Sequence, residues 1–128
     1  MISNLNPIYV IELKDVRLFN QANLHTHWRI KFRHQKSLTR LIKAYWLKQN
    51  IKNIPLPCLV IITRYSPRKY DSDNYIYNCK GIRDTISSLI KPGYAPGFAD
   101  ANENDIQWEY CQLSSKAYQL KIEIIPRN

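Results

Sequence analysis

Asp71, Asp73, Lys80 and Asp84 are the residues of this chain whose types and spacing suit chemistry on a phosphate. Asp71 and Asp73 stand one residue apart in the run Asp71-Ser72-Asp73-Asn74, so two carboxylates can approach a single hard divalent cation. Such a cation lowers the pKa of a bound water and offsets charge on a phosphodiester under attack, while a neighbouring ammonium faces the phosphate. If one helix begins here, Asp73, Lys80 and Asp84 fall within about 40° of one another at about 100° per residue. The combination points to metal-assisted phosphodiester cleavage. The same residues also make the solvated face of an amphipathic helix whose other side is Ile76, Cys79, Ile82, Ile86, Leu89 and Ile90. Lys80 and Asp84 are then an i,i+4 ion pair worth a few tenths of a kcal/mol, and Asp73 is an N-cap.

The elements that position these residues can be read from the patterning. Ile8 to Leu13 is a β-rich first strand. From about His27 to Asn50 there is no Gly or Pro, and Leu38, Leu41, Ile42 and Tyr45 recur at helical spacing among Arg29, Arg33, Lys36, Arg40, Lys43 and Lys48. Trp28, Ile30 and Phe32 alternate like a strand and leave the start of that helix open. Cys58 to Thr63 is an apolar, β-branched run too short for a helix, which predicts a central strand. Ser66 to Tyr70 leads from it to the acidic run. A helix from about Asp73 to Ile90 is then stopped by Lys91-Pro92-Gly93.

After a long polar connection, Ile106 to Tyr110 and Tyr118 to Ile124 alternate as two further strands, expected to pair as a hairpin through Ser114-Ser115-Lys116. The predicted class is α/β (α+β), a single domain over residues 1–128 with one mixed sheet and two main helices in the order β-α-β-α-β-β. With 128 residues the chain can bury one real core.

Charge narrows the partner. The net charge of +9 favours a polyanion, and its distribution is uneven. From Val16 to Tyr70 there are twelve Lys or Arg and no acid, whereas seven of the ten acids lie between Asp71 and Glu109. A basic half that grips phosphates beside an acidic cluster that repels them without a cation is the polarity of a metal-dependent nuclease. A simple nucleic-acid-binding protein needs only the first half. Cys58, Cys79 and Cys111 are far apart in apolar or aromatic runs, read as reduced core residues, and His25, His27 and His34 lie far from them, which argues against structural zinc. Trp28, Trp46 and Trp108 read as core aromatics. No stretch approaches about 18 apolar residues and no leader pattern opens the chain, so a soluble cytoplasmic protein with no membrane partner is expected.

Three motifs resemble the RusA-type Holliday junction resolvases and their phage-associated endonuclease relatives. Asn23-Leu24-His25-Thr26-His27-Trp28-Arg29 is similar to the family's early Asn-x-x-x-His-Trp segment leading into a basic helix. Asp71-Ser72-Asp73-Asn74 with Lys80-Gly81-Ile82-Arg83-Asp84 resembles its Asp-x-Asp-Asn motif with a downstream lysine and aspartate. The loop from Asp100 to Asp105 before Ile106 resembles the family's aspartate preceding a late strand. The resemblance implies a homodimer that binds four-way DNA junctions and makes paired symmetric nicks with Mg2+ or Mn2+ in recombination and repair. It implies that Asp71, Asp73 and Asp100 hold the metal, with Glu103 and Asp105 as the alternatives to Asp100. Lys80 would contact the scissile phosphate, Asn74 would orient the site, and Arg68, Lys69, Arg29 and Arg33 would contact DNA. Two departures stand out: Lys80 lies about two helical turns after Asp73 where short members place it after one, and the loop acids are dispersed. The alternative is a non-catalytic basic DNA-binding protein on the same fold. A nucleotide phosphohydrolase is the third reading, one that needs less basic surface than this chain has.

Overall fold

The computed structural model describes residues 7–18, 28–69, 72–92 and 105–127, excepting the side chains of Trp28, Ile30, Lys31, Ser72 and Asn74. The elements in chain order are β1 (Tyr9–Lys14), α1 (Trp28–Lys48), β2 (Cys58–Ser66), α2 (Ser72–Asn78), α3 (Lys80–Ile90), β3 (Ile106–Ser114) and β4 (Gln119–Pro126). Together they make an α+β chain with one mixed four-stranded sheet among the described residues. Two compact units carry them. The first comprises Met1–Leu18, Lys52–Lys69 and Asn102–Asn128 and holds the sheet, and the second comprises Phe19–Ile51 and Tyr70–Ala101 and holds the helices.

In the sheet unit the strand order is β1-β4-β2-β3. The apolar run Cys58–Thr63 is the internal strand it was expected to be: β2 pairs antiparallel with β4 and parallel with β3. Val60 and Ile62 stand opposite Ile124 and Ile122, which with Leu120 continue across to Ile11 and Leu13 of β1. All of these are 0–1% exposed. Leu59 and Ile61 point to the other face, where they cluster with Ile125, so β2 is buried on both sides. Charged side chains enter the sheet on β4 and its edge neighbour β1. Lys121 of β4 lies 3.7 Å from Glu123 and opposite Glu12 of β1. Burial pulls Lys121 down, but Glu123, Tyr65 and Glu12 outweigh it and raise its pKa above the ordinary lysine value.

The expected hairpin is not formed. β3 and β4 are consecutive in the chain but β2 lies between them, and the connection passes the end of β2, where Ser115 N–H donates to the Ser66 carbonyl at 2.9 Å. Residues 115–118 need cross only two strand spacings, about 10 Å, which four residues reach easily. Alternation marks β3 and β4 as strands but does not encode their partner. The strand that most needs neighbours on both edges is the fully apolar one. Cys111 was also expected in the core, yet it is exposed on the edge strand β3. Trp46 is buried, and Trp108 is half-buried on the same edge strand.

In the helical unit α1 runs from Trp28, so the alternation of Trp28, Ile30 and Phe32 belongs to a helix. Its C-terminus closes through Asn50 in the left-handed region (φ 54°), with Ile51 N–H donating to the Trp46 carbonyl at 3.1 Å and Asn50 N–H to Leu47 at 3.0 Å. α1 buries Leu38, Ile42 and Trp46, and α3 buries Ile82, Thr85 and Ile86. The two helices run in the same direction. Thr39 and Thr85 share a hydroxyl hydrogen bond of 3.2 Å, and one turn earlier Gln35 faces Gly81. The single helix expected from Asp73 to Ile90 is divided at Cys79 (φ −84°, ψ −4°), whose N–H is shared between the Tyr75 and Ile76 carbonyls at 3.0 and 3.1 Å. Cys79 is fully buried and followed two residues on by Gly81, a weak helix former. The tight turn there carries no side-chain cap.

A methyl group at Gly81 would sit 2.6 Å from Gln35 Nε2, the tip of an exposed, flexible side chain. Gln35 Cδ and Cγ lie 3.1 Å from the same point, so Gly81→Ala is expected to turn this exposed side chain aside from Cγ outward and to stabilise the protein by less than the full ~1 kcal/mol of helix propensity, read as a higher urea midpoint at unchanged slope.

Candidate functional site

β2 ends in polar residues that the hydrophobic pattern does not predict to be inside. Arg64 is 4% exposed, and its Nη1 donates to the Arg68 carbonyl at 2.8 Å and to Gln112 Oε1 of β3 at 3.1 Å. Ser66 Oγ donates to the same Arg68 carbonyl. Two donors from β2 thus converge on one backbone oxygen and hold the start of the connection that leads to the acidic run. Arg68 and Lys69 follow with exposed side chains. Sequence reasoning missed Arg64, although a lone cation closing an apolar run was a readable signal: a buried guanidinium must find acceptors.

Asp73 lies in the first turn of α2 with its side chain exposed, where the helix dipole favours a carboxylate. Tyr75, two residues on, is 2% exposed, whereas Tyr77 is 60% exposed. Lys80 begins α3, and its ammonium lies 3.2 Å from Asp84 Oδ2. The pair formed is the i,i+4 pair of an amphipathic helix. Lys80 is 69% exposed and Asp84 32%, and the second oxygen of Asp84, Oδ1, is buried without a hydrogen-bond partner. Cys79 divides α2, which carries Asp73, from α3, which carries Lys80 and Asp84.

Asp71, Asp100, Glu103, His25 and His27 lie outside the described residues, as does the side chain of Asn74. Among the described residues no three His, Cys, Asp or Glu side chains gather to hold a metal ion. The hard, exposed carboxylate of Asp73 has the donor chemistry that Mg2+ takes. Asp105 is placed elsewhere: its carbonyl accepts the Cys58 N–H at 2.9 Å, at the start of β2. Since β2 and β3 are parallel, the residue before β3 lies at the opposite end of the sheet from Ser66, some 26 Å away at about 3.3 Å per residue. Asp105 is therefore not brought to the end of β2. It acts instead on Cys58, whose thiol is pushed up to about 11 by burial and by the Asp105 charge, with Arg127 opposing. A thiol so raised is a poor nucleophile at neutral pH.

Arg29 and Arg33 are exposed on α1. His34 beside them is half-buried, and burial lowers its pKa below the ordinary 6.5.

Arg64→Leu is expected to cost about 1–3 kcal/mol, because the Arg68 carbonyl and Gln112 lose a charged donor, and urea unfolding of the variant measures it. His34 supplies a pH dependence. Its folded pKa lies below its unfolded one, so the stability it contributes is complete above about pH 6.5 and is lost as pH falls through the folded value. The urea midpoint should fall between pH 7 and 5, and more shallowly in His34→Gln.

A scan against protein-family models finds no match to this chain, and no curated protein matches it significantly.

Proposed function

We propose that this protein is a metal-dependent, structure-selective endonuclease that resolves four-way DNA junctions as a homodimer, in the manner of the RusA-type resolvases that its motifs resemble. The observation that carries the reading is the change of charge at the end of β2. A segment with twelve cations and no acid closes with the exposed pair Arg68 and Lys69, and within four residues the chain reaches Asp71 and then Asp73, exposed in the first turn of α2. Phosphate-binding side chains and cation-binding side chains are thereby consecutive along the backbone.

In this reading Asp71, Asp73 and Asp100 hold Mg2+, or Mn2+ in its place, and the ion supplies charge neutralisation and an acidified water. Arg68 and Lys69 hold the phosphates flanking the scissile bond, and Asn74 orients the site. Lys80 stabilises charge on the phosphate once its ammonium leaves Asp84, an exposed pair whose separation costs little. Among the described residues no helix is long and apolar enough to cross a membrane, and the three cysteines are free. Both facts fit a protein that works on DNA in the cytoplasm.

The second reading is a DNA-binding protein without catalysis, favoured by the engagement of Lys80 with Asp84. A nicking assay on a mobile four-way junction and a matched linear duplex, with Mg2+, Mn2+ or EDTA, separates the two. The endonuclease reading expects paired, metal-dependent nicks confined to the junction, with Asp73→Asn reducing nicking to background while junction binding survives. Tight binding without nicks in either metal would establish the second reading, and an Asp73→Asn variant that cuts at the normal rate would remove Asp73 from the chemistry.

A further inference from the structure

α1 is one uninterrupted helix from Trp28 to Lys48, without an acidic residue. Arg29, Arg33, Lys36, Arg40 and Lys43 are all exposed on it. Their successive spacings of four, three, four and three residues keep them within about 80° of the circumference and spread them over about 21 Å of helix length. The buried residues Leu38, Ile42 and Trp46 lie roughly opposite. Like charges at i,i+3 and i,i+4 repel, and a merely solvated face mixes the two signs. Folding does not explain an all-cationic line.

We propose that this line lies along the phosphate backbone of duplex DNA, each cation facing a phosphate and none reading a base. The inference rests on the reading of the protein as one that acts on DNA, but it does not depend on cleavage. A rigid row of like charges spaced about 5 Å apart along the axis suits a polyanion whose charges also repeat. Three of the five are arginines, whose planar fork matches phosphate oxygens. A membrane surface suits it less. A helix lying in a bilayer interface buries its apolar face in lipid, whereas the apolar face of α1 is already buried in the protein. Among the described side chains of α1, the large exposed apolar ones are Phe32 (59% exposed) and Leu47 (79%), and Phe32 already carries the Lys36 ammonium 5.9 Å from its ring centre.

The test is the salt dependence of binding to labelled linear duplex, measured in EDTA so that no strand is cut. Each neutralised phosphate contributes about −0.9 to the slope of log K against log salt. The double variant Arg33→Gln, Arg40→Gln is expected to flatten the slope by about 1.8 and to weaken binding roughly 30-fold near 0.15 M salt, equally on two duplexes of unrelated sequence. Arg33→Lys, Arg40→Lys should keep the slope, and so should Lys52→Gln, Lys116→Gln, which removes two exposed cations of the sheet unit. An unchanged slope in the glutamine variant, folded by circular dichroism, overturns the proposal. So does a loss confined to one duplex sequence, or wild-type protein that binds phosphatidylserine vesicles and not duplex. The two readings fail separately: a flattened slope without nicking by wild type leaves the cationic line standing and removes the endonuclease, and intact nicking with an unchanged slope does the reverse.

Discussion

From Cys58 to Arg64 every residue of β2 is buried, and a strand with two hydrogen-bonding edges and no polar face is satisfied only between two other strands. That requirement orders the sheet. β4 takes one edge and β3 the other, β1 completes the sheet beyond β4, and two strands that follow one another in the chain are parted to do so. The aliphatic row from Ile11 through Ile122 to Ile62 crosses three strands, each such side chain contributing about 1.5–3 kcal/mol when buried.

The parallel pairing of β2 with β3 has a consequence for chemistry. A parallel neighbour begins where its partner begins, so Asp105 lies beside Cys58 and away from Ser66. At the other end the buried guanidinium of Arg64, with Ser66, holds the backbone that leaves the sheet. The end of β2 is thus built from polar groups with defined acceptors, and the chain leaves it toward the acidic run. In the helical unit the threonine pair Thr39 and Thr85 ties α1 to α3 through a shared hydroxyl hydrogen bond.

Much of the fold was legible because apolar patterning is a local property. The run Cys58–Thr63 announced an internal strand, the spacing of Leu38 and Ile42 announced a helix, and Pro92 announced the end of α3. The hairpin between β3 and β4 was misread because alternation identifies a strand without naming its partner. The single helix through Cys79 was misread because its apolar spacing holds on both sides of the turn. Cys111 shows the same limit: a position on a strand is core or surface according to the neighbours of that strand, and β3 has one only on the β2 side among the described residues. For the candidate site, spacing left two readings of Lys80 open, a phosphate-facing ammonium or the i,i+4 partner of Asp84, and the structure shows the ion pair, a choice that exposed side chains make by small energies.

The sequence by itself determined the uneven charge, the acid-free cationic helix, the closely spaced carboxylates after β2 and the number and kind of most elements, because each is written in residues near one another in the chain. Only the tertiary structure decided which strands pair, which end of the sheet receives Asp105, that Arg64 is buried as a hydrogen-bond donor, and that α2 and α3 are separate helices. Those outcomes depend on contacts between residues distant in sequence, where the burial of one strand on both faces outweighs the local preferences of its neighbours.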